Sequence, residues 1–246
     1  MSSDKTDTSD FEILGIEFIE LLANELNEVQ TFLEDYGFSL IAQHRRKRVY
    51  LFKQGAINII VNCADDSIAK AYLEETGISI YAICLKCSDA IKCHTELLKR
   101  GGWNCTSRSG PMELNIPGIE GVGGTQIYLV DQLREDVSIY EIDFKMLDSP
   151  KMQPERLSHI DHLSIKIEEG RLPAWMAFFK NLLGFESLNE STLRIPGKQG
   201  VELSLAENTD NSQSEYFDEI GFKACEEHTS VTPSRPSNLA VNFKVI

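Results

Sequence analysis

The sequence predicts an α+β fold made of tandem βαβββ modules: two complete, a third, and a partial fourth. Three observations lead there. Short runs alternate apolar and polar residues at period two, as from Ile160 to Ile167. There Leu163, Ile165 and Ile167 share one face, and His162, Ser164 and Lys166 share the other. Each leading strand precedes a helical stretch that closes on glycine and an aromatic residue: Gly37-Phe38, Gly102-Trp103 and Gly184-Phe185. The whole unit recurs after about 75 residues, the signature of a repeated supersecondary module.

The first module opens with a strand over residues 12–20. A helix follows from roughly Ala23 to Tyr36, with Leu26, Val29, Phe32 and Leu33 on one face and Gly37 as its C-terminal stop. Phe38 to Ala42 starts the next strand, and Arg48–Lys53 and Ala56–Asn62 form a hairpin around Gln54-Gly55. The second module begins at Ile78–Leu85. Its helix spans Ser88 to Arg100, with Ser88 as the expected N-cap. A Gly/Pro-rich insert, Gly110 to Gly124, leads into the strand Thr125–Asp131. Residues 145–157, with Pro150 and Pro154 and no periodicity, read as a linker.

The third module runs from His159, with a helix from Leu172 to Leu183 and a hairpin of Thr192–Ile195 and Val201–Ala206. Glu207 to Ser214 reads as loop, and Glu215 to Lys223 as a short helix or irregular turn. Glu226 to Thr232 is expected to begin a fourth module. The predicted organisation is a disordered leader (1–11), a two-module N-terminal domain (12–144), the linker (145–157) and an incomplete C-terminal domain of catalytic type (158–246).

Composition narrows the function classes. Thirty-eight acidic against 24 basic residues leave a net charge of −14, and the one basic run is Arg45-Arg46-Lys47-Arg48. That argues against nucleic acid as the partner. No apolar run is long enough to cross a membrane, and the polar first ten residues lack the apolar core of a signal peptide. The six cysteines show no disulfide or zinc spacing, which fits reduced thiols in a cytoplasmic protein.

Particular stretches carry a resemblance. His44-Arg45, Gln54-Gly55-Ala56-Ile57-Asn58, the run Glu113-Leu114-Asn115-Ile116-Pro117-Gly118-Ile119-Glu120-Gly121 within the insert, Ser138 to Phe144, and Ile160-Asp161-His162-Leu163 resemble the 4-hydroxyphenylpyruvate dioxygenase family. That family belongs to the vicinal oxygen chelate superfamily, and the likeness covers most of residues 12–206. It implies an Fe(II) cofactor on two histidines and a carboxylate, an aromatic 2-oxo acid as substrate, and oxidation of 4-hydroxyphenylpyruvate to homogentisate in tyrosine catabolism.

By the same resemblance His162 is the first metal ligand. His228, preceded by Glu227 where the family has Gln, falls at the second. The third, a Glu late in the fourth module, and the family's lid helix lie beyond the last residue, so the chain resembles a C-terminally truncated member. Ala206 stands where the family has a pocket-lining Asn. Two expectations follow: a dioxygenase completed by a second copy of the chain, or a non-catalytic relative that binds a small molecule or a protein. Glu202 is the one substitute third ligand, otherwise an exposed strand residue. His44, His94 and His159 read as surface residues. Trp175, Phe178 and Phe179, at helical spacing, read as core, and Trp103 as packing.

Overall fold

The structure is a computed structural model that describes residues 11–63, 67–105, 114–131, 138–209, 214–225 and 233–246. The expected leader therefore lies outside the described residues except for Phe11, which is buried. In chain order the elements are β1 (Ile13–Leu22), α1 (Asn27–Asp35), β2 (Ser39–His44), β3 (Val49–Gln54), β4 (Ile57–Asn62), α2 (Ser67–Thr76), β5 (Ile80–Cys87) and α3 (Ala90–Lys99). Then come β6 (Gly118–Glu120), β7 (Gln126–Val130), α4 (Ile139–Asp143) and β8 (Phe144–Met146). The second part contains β9 (Leu157–Ile167), α5 (Leu172–Ala177), β10 (Glu186–Ser187), β11 (Thr192–Arg194), β12 (Glu202–Glu207), β13 (Tyr216–Ala224) and β14 (Asn242–Val245). No described helix is long and apolar enough to cross a membrane.

The strands form an eight-stranded sheet, ordered β6-β7-β5-β1-β4-β3-β2-β8, and a six-stranded one, ordered β10-β11-β12-β9-β13-β14. One rule generates both. Within a module the last strand lies parallel beside the first: β4 on β1, β7 on β5, β12 on β9. Between paired modules the first strands run antiparallel: β1 with β5, and β9 with β13. β14 lies parallel beside β13 in the same way. The pair β13–β14 thus takes the places of the first and last strands of a fourth module.

This corrects the reading of Glu215 to Lys223 as a short helix or irregular turn: Tyr216–Ala224 is a nine-residue strand. Its buried apolar side chains, Phe217, Ile220 and Phe222, are spaced by three and then by two. A bulge at Asp218 shifts the register between Phe217 and Glu219. One extra residue in the strand breaks the period-two signal that sequence reading depends on. The strand expected at Glu226 to Thr232 falls outside the described residues.

Smaller differences have local causes. α1 is shorter than the expected 23–36. Asp89, and not Ser88, caps α3, its Oδ1 accepting the Lys92 N–H at 2.9 Å. Ser88 Oγ accepts the Glu12 N–H instead. α2 was not anticipated, although Ala69, Tyr72 and Leu73 have helical spacing and are buried. The helix after β9 continues past Ala177 as a π turn over Phe178–Leu182.

One apolar core joins the two sheets. Phe38 of the first half meets Phe222 with ring centroids 5.8 Å apart, and Phe32 and Tyr36 of α1 pack on Phe243 of β14 at 5.0 and 5.3 Å. Gln54 ties the halves together. Its Oε1 accepts the N–H groups of Arg156 and Leu157, and its Nε2 donates to the Tyr36 carbonyl. Gly37 is the close-approach point, with φ +94° and the Pro154 carbonyl 2.7 Å from where a Cβ would stand. On the other face of the eight-stranded sheet a smaller cluster, including Phe18, Ile60, Cys84 and Tyr140, packs beneath α4. All six cysteines are free thiols.

Candidate functional site

β9 and β13 position the site. His162 stands beside Glu202 on one side and Gly221 on the other, and Gly221 is in turn paired with Lys244. Gly221 is where sequence makes room. A Cβ built there would lie 2.1 Å from His162 Cε1, so the imidazole occupies the space over the glycine. β9 skips one residue of its register at Asp161, just as β1 does at Glu17. His162 and Phe18 consequently hold corresponding positions in the two sheets. In the first sheet this position is buried among apolar side chains, and in the second it is polar.

Both ring nitrogens of His162 meet carboxylates: Nδ1 lies 2.9 Å from Asp161 Oδ2 and Nε2 3.0 Å from Glu219 Oε1. Lys244 Nζ stands 3.6 Å from the same Glu219 oxygen. The His162 side chain is 18% exposed. Burial alone pulls its pKa down. The hydrogen bonds and charges of Glu219 and Asp161 outweigh burial and raise it above the ordinary 6.5. A neutral imidazole can donate from only one nitrogen, whereas the imidazolium donates from both. The two carboxylates therefore favour the charged, doubly donating form of the ring.

The same residues can be tested as an iron site. An Fe(II) facial triad needs three converging donors, with a histidine offering a lone pair. Among the described residues no three His, Cys, Asp or Glu side chains form such a group. Glu202 is in register with His162 but does not complete one. Asp218 keeps a buried oxygen, Oδ1, without a hydrogen-bond partner among the described residues, yet it does not complete one either. His228, the second expected ligand, lies outside the described residues. The described residues do not fit a three-ligand iron site.

Other expected positions come out differently. His94 Nε2 is 3.0 Å from the Gly118 carbonyl, and His44 Nδ1 accepts from the N–H groups of Arg46 and Lys47, so each is half-buried and hydrogen-bonded where a fully exposed surface residue was expected. Trp103 is not packed: it is 74% exposed. The aromatic trio on the helix after β9 packs on the core as expected, Phe179 buried and Trp175 and Phe178 half-buried against it, the latter two also lining a cleft. Glu219 and Gly221 were missed because the bulge at Asp218 hides their strand. The adjacent pair Asp161-His162 was the one local hint of a charge-paired ring.

Paired βαβββ modules around a polar strand histidine define a protein of the vicinal oxygen chelate class. A family profile described as "Hydroxyphenylpyruvate dioxygenase, HPPD, N-terminal" matches residues 8–145, more than half of the chain. The chain belongs to the hydroxyphenylpyruvate dioxygenase family. It is 37% identical over 178 residues to a 4-hydroxyphenylpyruvate dioxygenase of Pseudomonas sp. (strain P.J. 874), a match covering 72% of this chain and 50% of the relative. It is 30% identical over 181 residues to hemolysin VllY of Vibrio vulnificus, covering 71% and 50%. The chain thus spans about half the length of these curated relatives. Among solved structures, a xylose isomerase-like TIM barrel/4-hydroxyphenylpyruvate dioxygenase fusion protein superposes with a TM-score of 0.75 at 24% identity, covering 88% of this chain and 38% of that one. At that identity the likeness speaks for the fold alone.

Proposed function

We propose that this chain is a family member whose strand histidine serves a charge-paired binding site: it binds a small molecule without oxidising it. The ligand class is an aromatic 2-oxo acid, the kind of compound for which its dioxygenase relatives are named. The bracketing of His162 by Asp161 and Glu219 carries this reading. A ring holding a proton on each nitrogen has no lone pair for a metal. With both ring protons held by Asp161 and Glu219, Lys166 on the same strand face and Lys244 nearby are the cations for a ligand carboxylate.

The test is direct. Purified protein supplied with Fe(II), ascorbate and 4-hydroxyphenylpyruvate is expected to take up no oxygen beyond the protein-free control, while calorimetry detects the 2-oxo acid binding and its loss in His162→Ala. Homogentisate formation that disappears in His162→Ala overturns the non-catalytic reading.

A second reading, an Fe(II) dioxygenase using His162 and His228, has one observation in its favour. His162 Nε2 and Glu219 Oε1 lie 3.0 Å apart, a separation that two ligands of a single ion would also keep, with Asp161 on Nδ1 as the outer carboxylate. Stoichiometric Co(II) binding with a ligand-field spectrum lost in both His162→Ala and His228→Ala supports it.

A further inference from the structure

A cleft of about 560 Å³ opens between the glycine turn Val122–Gly124 and α5, away from His162. That volume is typical of small-molecule sites, which run from about 300 to 1,000 Å³. Its floor is fixed by backbone contact: Gly123, at φ +61°, packs so closely that a Cβ would stand 1.7 Å from the Glu215 carbonyl oxygen. One wall is a local antiparallel bridge, Asn104 with Ile119. The Glu120 N–H donates to the Trp103 carbonyl at 2.8 Å, so Trp103 and Glu120 are cross-strand neighbours on one face. Both line the cleft, and both are exposed.

The opposite wall is held rigid by Glu215, which is buried. Its Oε1 accepts the Trp175 indole N–H at 2.7 Å, and its Oε2 lies 3.5 Å from Arg171 Nη1. The guanidinium rests over the Trp175 ring at 5.2 Å, with 47% of the Arg171 side chain still exposed. The π turn begins at Phe178, the last aromatic residue of the cleft lining, while the next residue, Phe179, turns into the core. Widened turns of this kind are frequent at functional sites. The cleft thus offers three aromatic rings, a propped guanidinium and an exposed carboxylate.

We propose that this cleft binds an aromatic amino acid as its zwitterion, the ring among Trp103, Trp175 and Phe178, the α-carboxylate on Arg171 and the α-ammonium on Glu120. Opposite charges flanking an aromatic slot match that ligand better than an aromatic acid or amine alone, each of which engages only one of the two exposed charged groups. The site is separate from the His162 site and stands whether or not the proposed function holds.

The chain supplies its own reporter. It contains two tryptophans, and both line this cleft, so emission excited at the red edge of the tryptophan band, where neither tyrosine nor phenylalanine absorbs, comes from the cleft alone. Titration of the full chain with L-phenylalanine is expected to give a saturable change in that emission. Phenylpropionate and phenethylamine, each lacking one charge, are expected to bind about tenfold or more weakly, and Glu120→Gln is expected to weaken L-phenylalanine by a similar factor. No saturable change, equal binding of all three compounds, or full affinity in a folded Glu120→Gln variant overturns the proposal. The analogue series decides the matter even if the variant fails to fold.

Discussion

Glu20 gives a prediction whose size can be worked out from its surroundings. It lies on β1 with 7% of its surface exposed, and its Oε1 accepts the Asn62 amide at 2.8 Å. Burial drives its carboxyl from the ordinary 4.5 up to about 7, with the Asn62 hydrogen bond and the Lys47 charge offsetting only part of that. Between these two values the folded state keeps a proton that the unfolded chain has released. Stability must therefore fall as pH rises from 4.5 through about 7, and the fall is complete above it. The rise corresponds to a loss of about 3 kcal/mol. Glu20→Gln retains the shape and the acceptor while removing the charge. Urea unfolding of both proteins at pH 5, 6, 7 and 8 is expected to show the variant gaining on the wild type by up to about 3 kcal/mol over this range. The difference between the two curves removes every other titrating group, His162 included. Parallel curves, or a wild type that gains on the variant with rising pH, would refute the reasoning.

Three further predictions concern the polar sheet. His162 is expected to titrate above 6.5 by NMR of its ring protons, and Glu219→Gln to lower that value; since the folded pKa is raised, the stabilisation from this pairing is full below 6.5 and is lost as pH rises through the folded value. Gly221→Ala places a methyl group within the imidazole and is expected to cost about 1–3 kcal/mol and shift the His162 resonances; a melting temperature equal to wild type with unmoved resonances contradicts the geometry. Phe222→Ala removes a fully buried ring of β13 that meets both Phe38 and Phe243, and about 3–5 kcal/mol should be lost in urea unfolding, whereas a cost under about 1 kcal/mol would mean β13 is not part of the core.

Most of the module pattern was legible in the chain because it is local. The alternation of Leu163, Ile165 and Ile167 on β9 and the glycine after each helix depend on near neighbours in sequence, and they recur at each module. What failed was the strand with an irregular period: the bulge at Asp218 made Phe217, Ile220 and Phe222 look other than extended. Exposure failed too. Trp103 reads as packing, and only the placement of the glycine turn against α5 leaves it exposed at a cleft.

The sequence by itself determined the α+β module repeat, the family and the singling out of His162, since periodicity and short motifs are properties of adjacent residues. Tertiary structure alone decided the second carboxylate on His162. Glu219 is 57 residues away and reaches Nε2 only because β13 pairs antiparallel with β9 and opens at Gly221 to admit the ring. Register between distant strands is set by which faces the core can bury, and that is a property of the whole assembled sheet.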